Sequence, residues 1–187
     1  MSENKYVKEF IKNLSQLDDG ERARLKRNAG RSLAESHQVS LLFFQKIAPY
    51  GIQPWAEDRY FLISTLYPFD KMQREKDRKR GGTEKETNGE ETAVSHSSTL
   101  GSSFRFARSQ QNETGFDRRF SRLLDANEDQ LPFQLRQAII RLANDWITIN
   151  WEQLTKDVLG WTHPNRYVQR KWARDYVASK PEKQTNP

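Results

Sequence analysis

The sequence predicts an all-α protein made of two small helical bundles joined by a mobile loop. Apolar side chains recur at helical spacing through most of the chain, whereas the alternating pattern of β-strands is poor. Val168, Trp172 and Tyr176, for example, recur every four residues and can share one buried helix face. Between residues 74 and 98 this periodicity disappears, which divides the chain into two helical lobes.

The N-terminal lobe, residues 1–73, contains four predicted helices. Asp18 followed by Glu21 has the pattern of a capping box at the start of the second helix. Pro54 begins the fourth helix, and Pro68 follows its end. The helices are predicted over 6–17, 21–29, 41–47 and 54–66. The apolar face of the fourth consists of Trp55, Tyr60, Ile63 and Leu66.

The segment 74–98 separates the two lobes. Its stretch DRKRGGTEKETNGEETAVSHSS has one aliphatic residue larger than alanine, no aromatic residue and mixed charges. Such a composition offers too little apolar surface to offset the entropy lost on ordering. We therefore expect a mobile loop that tolerates deletion.

The C-terminal bundle, residues 99–180, contains five predicted helices and precedes a frayed tail over 181–187. Asn150 with Gln153 is a second candidate capping box, and Pro164 fits the first turn of the last helix. The helices are predicted over 100–110, 116–126, 131–146, 151–161 and 165–178. The apolar face of the third consists of Leu131, Leu135, Ala138, Ile139, Leu142 and Trp146.

Composition limits the classes of protein to consider. The 187 residues carry 31 Lys and Arg against 25 Asp and Glu, a net charge of +6 and a pI of about 9.5. There is no cysteine, which excludes disulfides and thiolate metal sites. No signal-peptide core and no apolar run of membrane-spanning length is present, so we expect a cytoplasmic protein.

Basic side chains form rows on several predicted helices. Arg166, Arg170 and Arg174 lie opposite the Val168, Trp172 and Tyr176 face. A second row lies opposite Phe116 and Phe120 and consists of Arg118, Arg119 and Arg122. A third lies in the basic segment ERARLKRNAGR, residues 21–31, and consists of Arg24, Arg27 and Arg31, with Arg22 and Lys26 on another face. Arg105 and Arg108 add to the positive charge. These rows favour contact with the phosphates of a nucleic acid, and solvated faces or intrahelical ion pairs are the alternative.

Catalytic patterns are weak. Asp125, Glu128 and Asp129 can be read as a Mg²⁺-binding cluster of a small helical nuclease. Alternatively, Asp125 ends one helix, and Glu128 and Asp129 stabilise the N-terminus of the next. Gly81 and Gly82 lack the lysine and hydroxyl residue of a phosphate-binding loop. We expect no enzymatic activity, no metal and no cofactor. A protein-only adaptor with arginine-rich contact faces is a further alternative.

Several motifs in residues 99–178 resemble one known family. They are LGSSFRFAR, FDRRFSRLLDA, LPFQLRQAI and, above all, W-x-HP-x-R-x-VQRKWARDY, in the expected order. The chain thus resembles the CasB family, the small subunit of Cascade, the type I-E CRISPR surveillance complex. Residues 1–70 match more loosely, and 74–98 corresponds to an insertion where the family has a shorter connection.

The resemblance implies a non-catalytic, two-lobed, all-α subunit of a crRNA-guided complex in antiviral defence. It implies contacts with crRNA, with target and displaced DNA strands of the R-loop, with the large and backbone subunits, and with a second copy of the chain. The implied nucleic-acid-binding residues are Arg24, Lys26, Arg27, Arg31, Arg105, Arg108, Arg118, Arg119, Arg122, Arg136, Arg166, Arg170, Lys171 and Arg174.

Overall fold

The computed structural model describes residues 3–81, 99–108 and 113–178, and within these ranges every regular element is a helix. The α-helices in chain order are α1 (Glu3–Ser15), α2 (Asp19–Arg27), α3 (His37–Leu42), α4 (Pro54–Leu66), α5 (Lys71–Gly81), α6 (Leu100–Arg108), α7 (Glu113–Asp125), α8 (Leu131–Asn144), α9 (Trp151–Leu159) and α10 (Tyr167–Val177). A π-helical turn over Phe43–Ile47 continues α3, and a 3-10 turn over Tyr67–Phe69 continues α4. The predicted all-α class is confirmed. None of the described helices has both the length and the apolar character that crossing a membrane requires.

Of the two predicted capping boxes, the one at α2 forms completely and the one at α9 forms in part. At the start of α2, Asp18 Oδ1 accepts from the Glu21 amide at 2.8 Å, and Glu21 Oε2 accepts from the Asp18 amide at 3.1 Å. This capping box is confirmed. At α9, Asn150 Oδ1 accepts from the Gln153 amide at 3.0 Å, but the Gln153 side chain donates to Asp157 instead of returning to the cap. The second box is therefore only half formed.

Buried apolar side chains of both halves belong to one cluster. Phe10 packs edge-on against Tyr60 in the N-terminal half, and Phe120 stacks on Tyr176 in the C-terminal half, with a centroid separation of 4.3 Å. The Tyr67 ring lies 5.1 Å from the Trp151 ring and so links the two halves. The two halves therefore share one buried core. The boundaries of the two predicted lobes stay a prediction.

The last helix packs around Trp172, which is fully buried. Its indole nitrogen donates to Asp157 Oδ2 at 2.6 Å, and its ring lies 5.1 Å from Trp161. Burial raises the pKa of the Asp157 carboxyl, and the hydrogen bonds from Trp172 and Gln153 oppose that shift. The buried face that was predicted for this helix is confirmed, since Val168 and Tyr176 are also buried.

Two tryptophans assigned to apolar faces are exposed. Trp55 is 61% exposed on α4 although Tyr60 and Ile63 of the same predicted face are buried. Trp146 is 55% exposed because α8 ends at Asn144 and residue 146 takes a left-handed backbone conformation with φ 55°. Helical spacing does not apply beyond the helix end, so the prediction for Trp146 is wrong.

The last helix also begins later than predicted. It starts at Tyr167, and Pro164 lies in the preceding turn rather than in its first helical turn. Arg166 is the N-terminal cap and adopts a left-handed conformation with φ 45°. That conformation is uncommon for a residue with a side chain. Arg166 therefore stands outside the helix that carries Arg170 and Arg174.

The segment assigned to a loop begins as a helix. Residues 74–81 continue α5, and residues 82–98 lie outside the described ranges, as does the tail from 179. On α5, the buried Asp77 accepts from Arg22 at 2.9 Å, from the Tyr67 hydroxyl at 2.8 Å and from Gln73 at 2.9 Å. Composition alone did not reveal this role, because the partner Arg22 lies 55 residues earlier.

Replacing Trp172 by alanine should destabilise the fold by about 3–5 kcal/mol, because the change removes a fully buried ring. Arg170→Ala on the same helix should leave stability nearly unchanged, because Arg170 is exposed. Thermal melts of the two variants provide the measurement. Equal melting temperatures would show that the two faces of α10 are misassigned.

Asp77→Ala should cost roughly 3–5 kcal/mol, because it leaves the guanidinium of Arg22 buried without its carboxylate. Arg74→Ala on the same helix is the matched control. Its pair with Asp19 is exposed and should contribute at most about 1 kcal/mol. Urea unfolding of the two variants measures the difference, and similar midpoints would mean that α5 does not pack through Asp77.

Candidate nucleic-acid interface

The arginines of α10 face away from the core. Arg170 and Arg174 are exposed, opposite the buried Trp172, and they form no ion pair with a described residue. Arg166 is exposed too, but its Nη2 donates to the Leu124 carbonyl oxygen at 2.6 Å and so joins the start of α10 to the end of α7. Lys171 is half-buried, and its charge opposes the rise that burial causes in the pKa of the Asp157 carboxyl.

The row of arginines on α7 is exposed. Phe116 and Phe120 are each 2% exposed on the inner face of this helix. The opposite face presents Arg118, Arg119 and Arg122, none of which forms an ion pair with a described residue. The amphipathic pattern thus placed this row correctly, and within the described ranges no acidic side chain competes with an external anion for these three guanidinium groups.

Both predicted arginines of α6 are engaged within the chain. Arg105 Nη1 donates to the Ala178 carbonyl oxygen at 3.1 Å. Arg108 Nε lies 3.2 Å from Asp117 Oδ1, and its guanidinium stands over the Tyr176 ring at 5.4 Å. Both side chains therefore already have partners within the chain, and they connect α6 to α7 and to the end of α10.

The basic residues of α2 and the loop after it form an early basic group, which is exposed and consists of Arg24, Lys26, Arg27 and Arg31. Two of its members have neighbours within the chain. Arg24 and Arg27 form no ion pair with a described residue. The Lys26 ammonium stands over the Phe69 ring at 4.7 Å. Arg31 lies near Glu35, whose pKa is lowered first by hydrogen bonds from Ser32 and then by the Arg31 charge.

Arg136 of α8 lies beside the loop that follows α2. A Cβ atom at Gly30 would be 3.5 Å from Arg136 Cδ, so the two segments touch. The Nε atom of Arg136 is buried without a hydrogen-bond partner in the described part of the chain. The structure thus brings Arg136 near the early basic group, although 100 residues or more separate it from α2 in sequence.

Two structurally important arginines were missed by sequence reasoning. Arg59 donates to Glu128 Oε1 at 3.0 Å, to Thr162 Oγ1 at 2.6 Å and to the Leu159 carbonyl oxygen, and it thereby ties α4 to the C-terminal half. Arg141 of α8 faces Arg119 and Arg122 of α7 across a small cleft. Helical spacing places Arg141 on the margin of the α8 apolar face, and that position was the one available signal.

The carboxylates considered for a nuclease are exposed, and one of them is paired. Glu128 forms its ion pair with Arg59. Asp125 and Asp129 are exposed at the end of α7 and in the turn before α8. Among residues that the structure describes, no group of three or more histidine or carboxylate side chains is placed to hold a metal ion.

Comparison with known proteins gives consistent matches. The sequence model of the CRISPR-associated protein Cse2 family matches residues 21–176. A CRISPR-associated protein Cse2 of Thermus thermophilus is 39% identical over 69 residues, which are 37% of this chain and 39% of that relative. The matched stretch therefore spans well under half of that relative's length.

Solved structures share the fold. CasB from M. ruber superposes with a TM-score of 0.66 at 24% identity and covers 91% of each chain. A Cse2-family protein from Thermus thermophilus gives 0.62 at 21% identity, covering 96% of this chain and all of the other. A chain of a CRISPR RNA-guided surveillance complex, pre-nicking, gives 0.69 at 20% identity and covers 92% of each.

The family match covers the helices from α2 to α10 almost completely, including both exposed arginine rows. It agrees with the motifs in the C-terminal half, and the resemblance noted in the sequence is confirmed. The chain belongs to the CRISPR-associated protein Cse2 family.

Proposed function

We propose that this protein is a non-catalytic small subunit of a crRNA-guided surveillance complex, the type I-E Cascade. In this role it binds the backbone of nucleic acid and stabilises the R-loop by contacts with the target and displaced DNA strands. The complex in which it acts serves antiviral defence. Its partners are crRNA and target DNA, the large and backbone subunits, and a second copy of itself.

One observation carries the proposal. Helices α7 and α10 bury their aromatic faces and present five exposed arginines that have no acidic partner among the described residues, namely Arg118, Arg119, Arg122, Arg170 and Arg174. An uncompensated row of guanidinium groups suits a polyanion, because each group can form charge-assisted hydrogen bonds with phosphate oxygens. The family membership supports the same conclusion.

Sequence-independent binding fits this surface. In crRNA-guided complexes base pairing with the guide reads the target sequence, so protein subunits need only contact backbone and neutralise charge. The described helices offer rows of cations rather than a single recognition helix aimed at a groove. The proposed contacts of Arg105, Arg108 and Arg166 are secondary, because these side chains already have partners within the chain.

Replacing Arg118, Arg119 and Arg122 together with alanine should weaken single-stranded DNA binding without unfolding the chain. Each lost phosphate contact lowers the slope of log affinity against log salt by about 0.7 for single strands, so the triple variant should shift the slope by roughly 2. Sequence preference should change little. Fluorescence anisotropy titrations at several salt concentrations measure the slope.

A matched variant with three alanine substitutions on α1 controls for the change in net charge. It replaces three exposed lysines, namely Lys5, Lys8 and Lys12. This variant should keep most of the slope, because α1 carries none of the proposed contacts. In a reconstituted complex the α7 variant should assemble and yet form less stable R-loops. If the α7 variant binds DNA like the parent but fails to enter the complex, its arginines contact protein, and the adaptor function replaces this proposal.

A further inference from the structure

A cleft of about 250 Å³ lies between α7 and α8. Its inner wall includes Phe104 of α6 and Ala138 of α8, which are 1% and 6% exposed. The volume is slightly below the range of drug-sized ligand sites, about 300–1,000 Å³. A flat ring system the size of one nucleobase suits such a cleft better than a larger ligand does.

The mouth of the cleft carries an exposed aromatic ring. Phe133, in the first turn of α8, lines the cleft and is 58% exposed. Single exposed apolar side chains are common on protein surfaces, and exposure alone indicates no function. What distinguishes Phe133 is its place in one cleft with Arg119 and Arg122, which have no acidic partner among the described residues.

Amide side chains complete the lining. Gln134 and Gln137 both face the cleft, and neither side chain hydrogen-bonds to a described residue. Each amide offers a donor and an acceptor, which is the combination that base edges require. Arg141 also lines the cleft. Its Nε atom lies 3.1 Å from Asp145 Oδ2, and its guanidinium stands 5.1 Å above the centre of the Phe116 ring.

We propose that this cleft binds one unstacked base of a single-stranded DNA segment. The base stacks against Phe133, the amides of Gln134 and Gln137 contact its edge, and Arg119 and Arg122 hold the flanking phosphates. Stacking is tolerant of sequence because every base has a π-face. The inference rests on the proposed function, and it adds a contact with a base to the contacts with the backbone.

Oligonucleotides with and without bases separate the two kinds of contact. The parent protein should bind a thymidine oligomer of about ten nucleotides at least about fivefold more tightly than a fully abasic oligomer of equal length and charge. Phe133→Ala should reduce binding of the thymidine oligomer by a similar factor and leave binding of the abasic oligomer unchanged. Phe133→Leu, which keeps an apolar side chain without a π-face, should behave like Phe133→Ala.

Phe106→Ala is the matched control, because Phe106 is 55% exposed on α6 and does not line the cleft. It should keep the preference for bases, whereas Arg170→Ala should weaken binding of both oligomers equally. Equal binding of both oligomers by the parent protein, or a base preference that survives Phe133→Ala, would overturn this inference alone. Absence of salt-dependent binding to either oligomer would overturn the proposed function with it.

Discussion

The architecture of the C-terminal half depends on a close approach between α6 and α10. Gly101 is buried on α6, and a Cβ atom there would lie 2.2 Å from the carbonyl oxygen of Trp172. No larger residue fits at that distance without moving a backbone. The glycine therefore lets Trp172 reach Asp157 and Trp161, and that packing fixes the rotation of α10 about its own axis.

The orientation of the arginine rows follows from this core. With Trp172 and Tyr176 directed inward, helical geometry turns Arg170 and Arg174 outward. The stacking of Tyr176 on Phe120 fixes α7 in the same way, because the inner position of Phe120 leaves the arginine face of α7 in solvent. Burial of aromatic rings thus determines where the positive charge of α7 and α10 is displayed.

Most features encoded by local periodicity were predictable from sequence, with Trp55 of α4 as an exception, and features that depend on distant residues were not. The buried and exposed faces of α7 and α10 follow from spacing within a single helix. Exposure of Trp146 could not be foreseen, because it depends on where α8 ends. Arg22 was counted with surface charge, but its partner Asp77 is 55 residues away. The cleft beside Phe133 requires the packing of α7 on α8, which no linear pattern contains.

The contacts of Arg59 affect the free-energy cost of binding a long ligand. Its partners Glu128, Leu159 and Thr162 lie 69, 100 and 103 residues further along the chain, so this side chain adds polar contacts to the apolar core that joins the two halves. Arg24 and Arg27 of α2 are thereby kept at a set separation from the cations of α7. The two groups are aligned when the protein folds, so the binding of a ligand that spans both does not carry the entropic cost of aligning them.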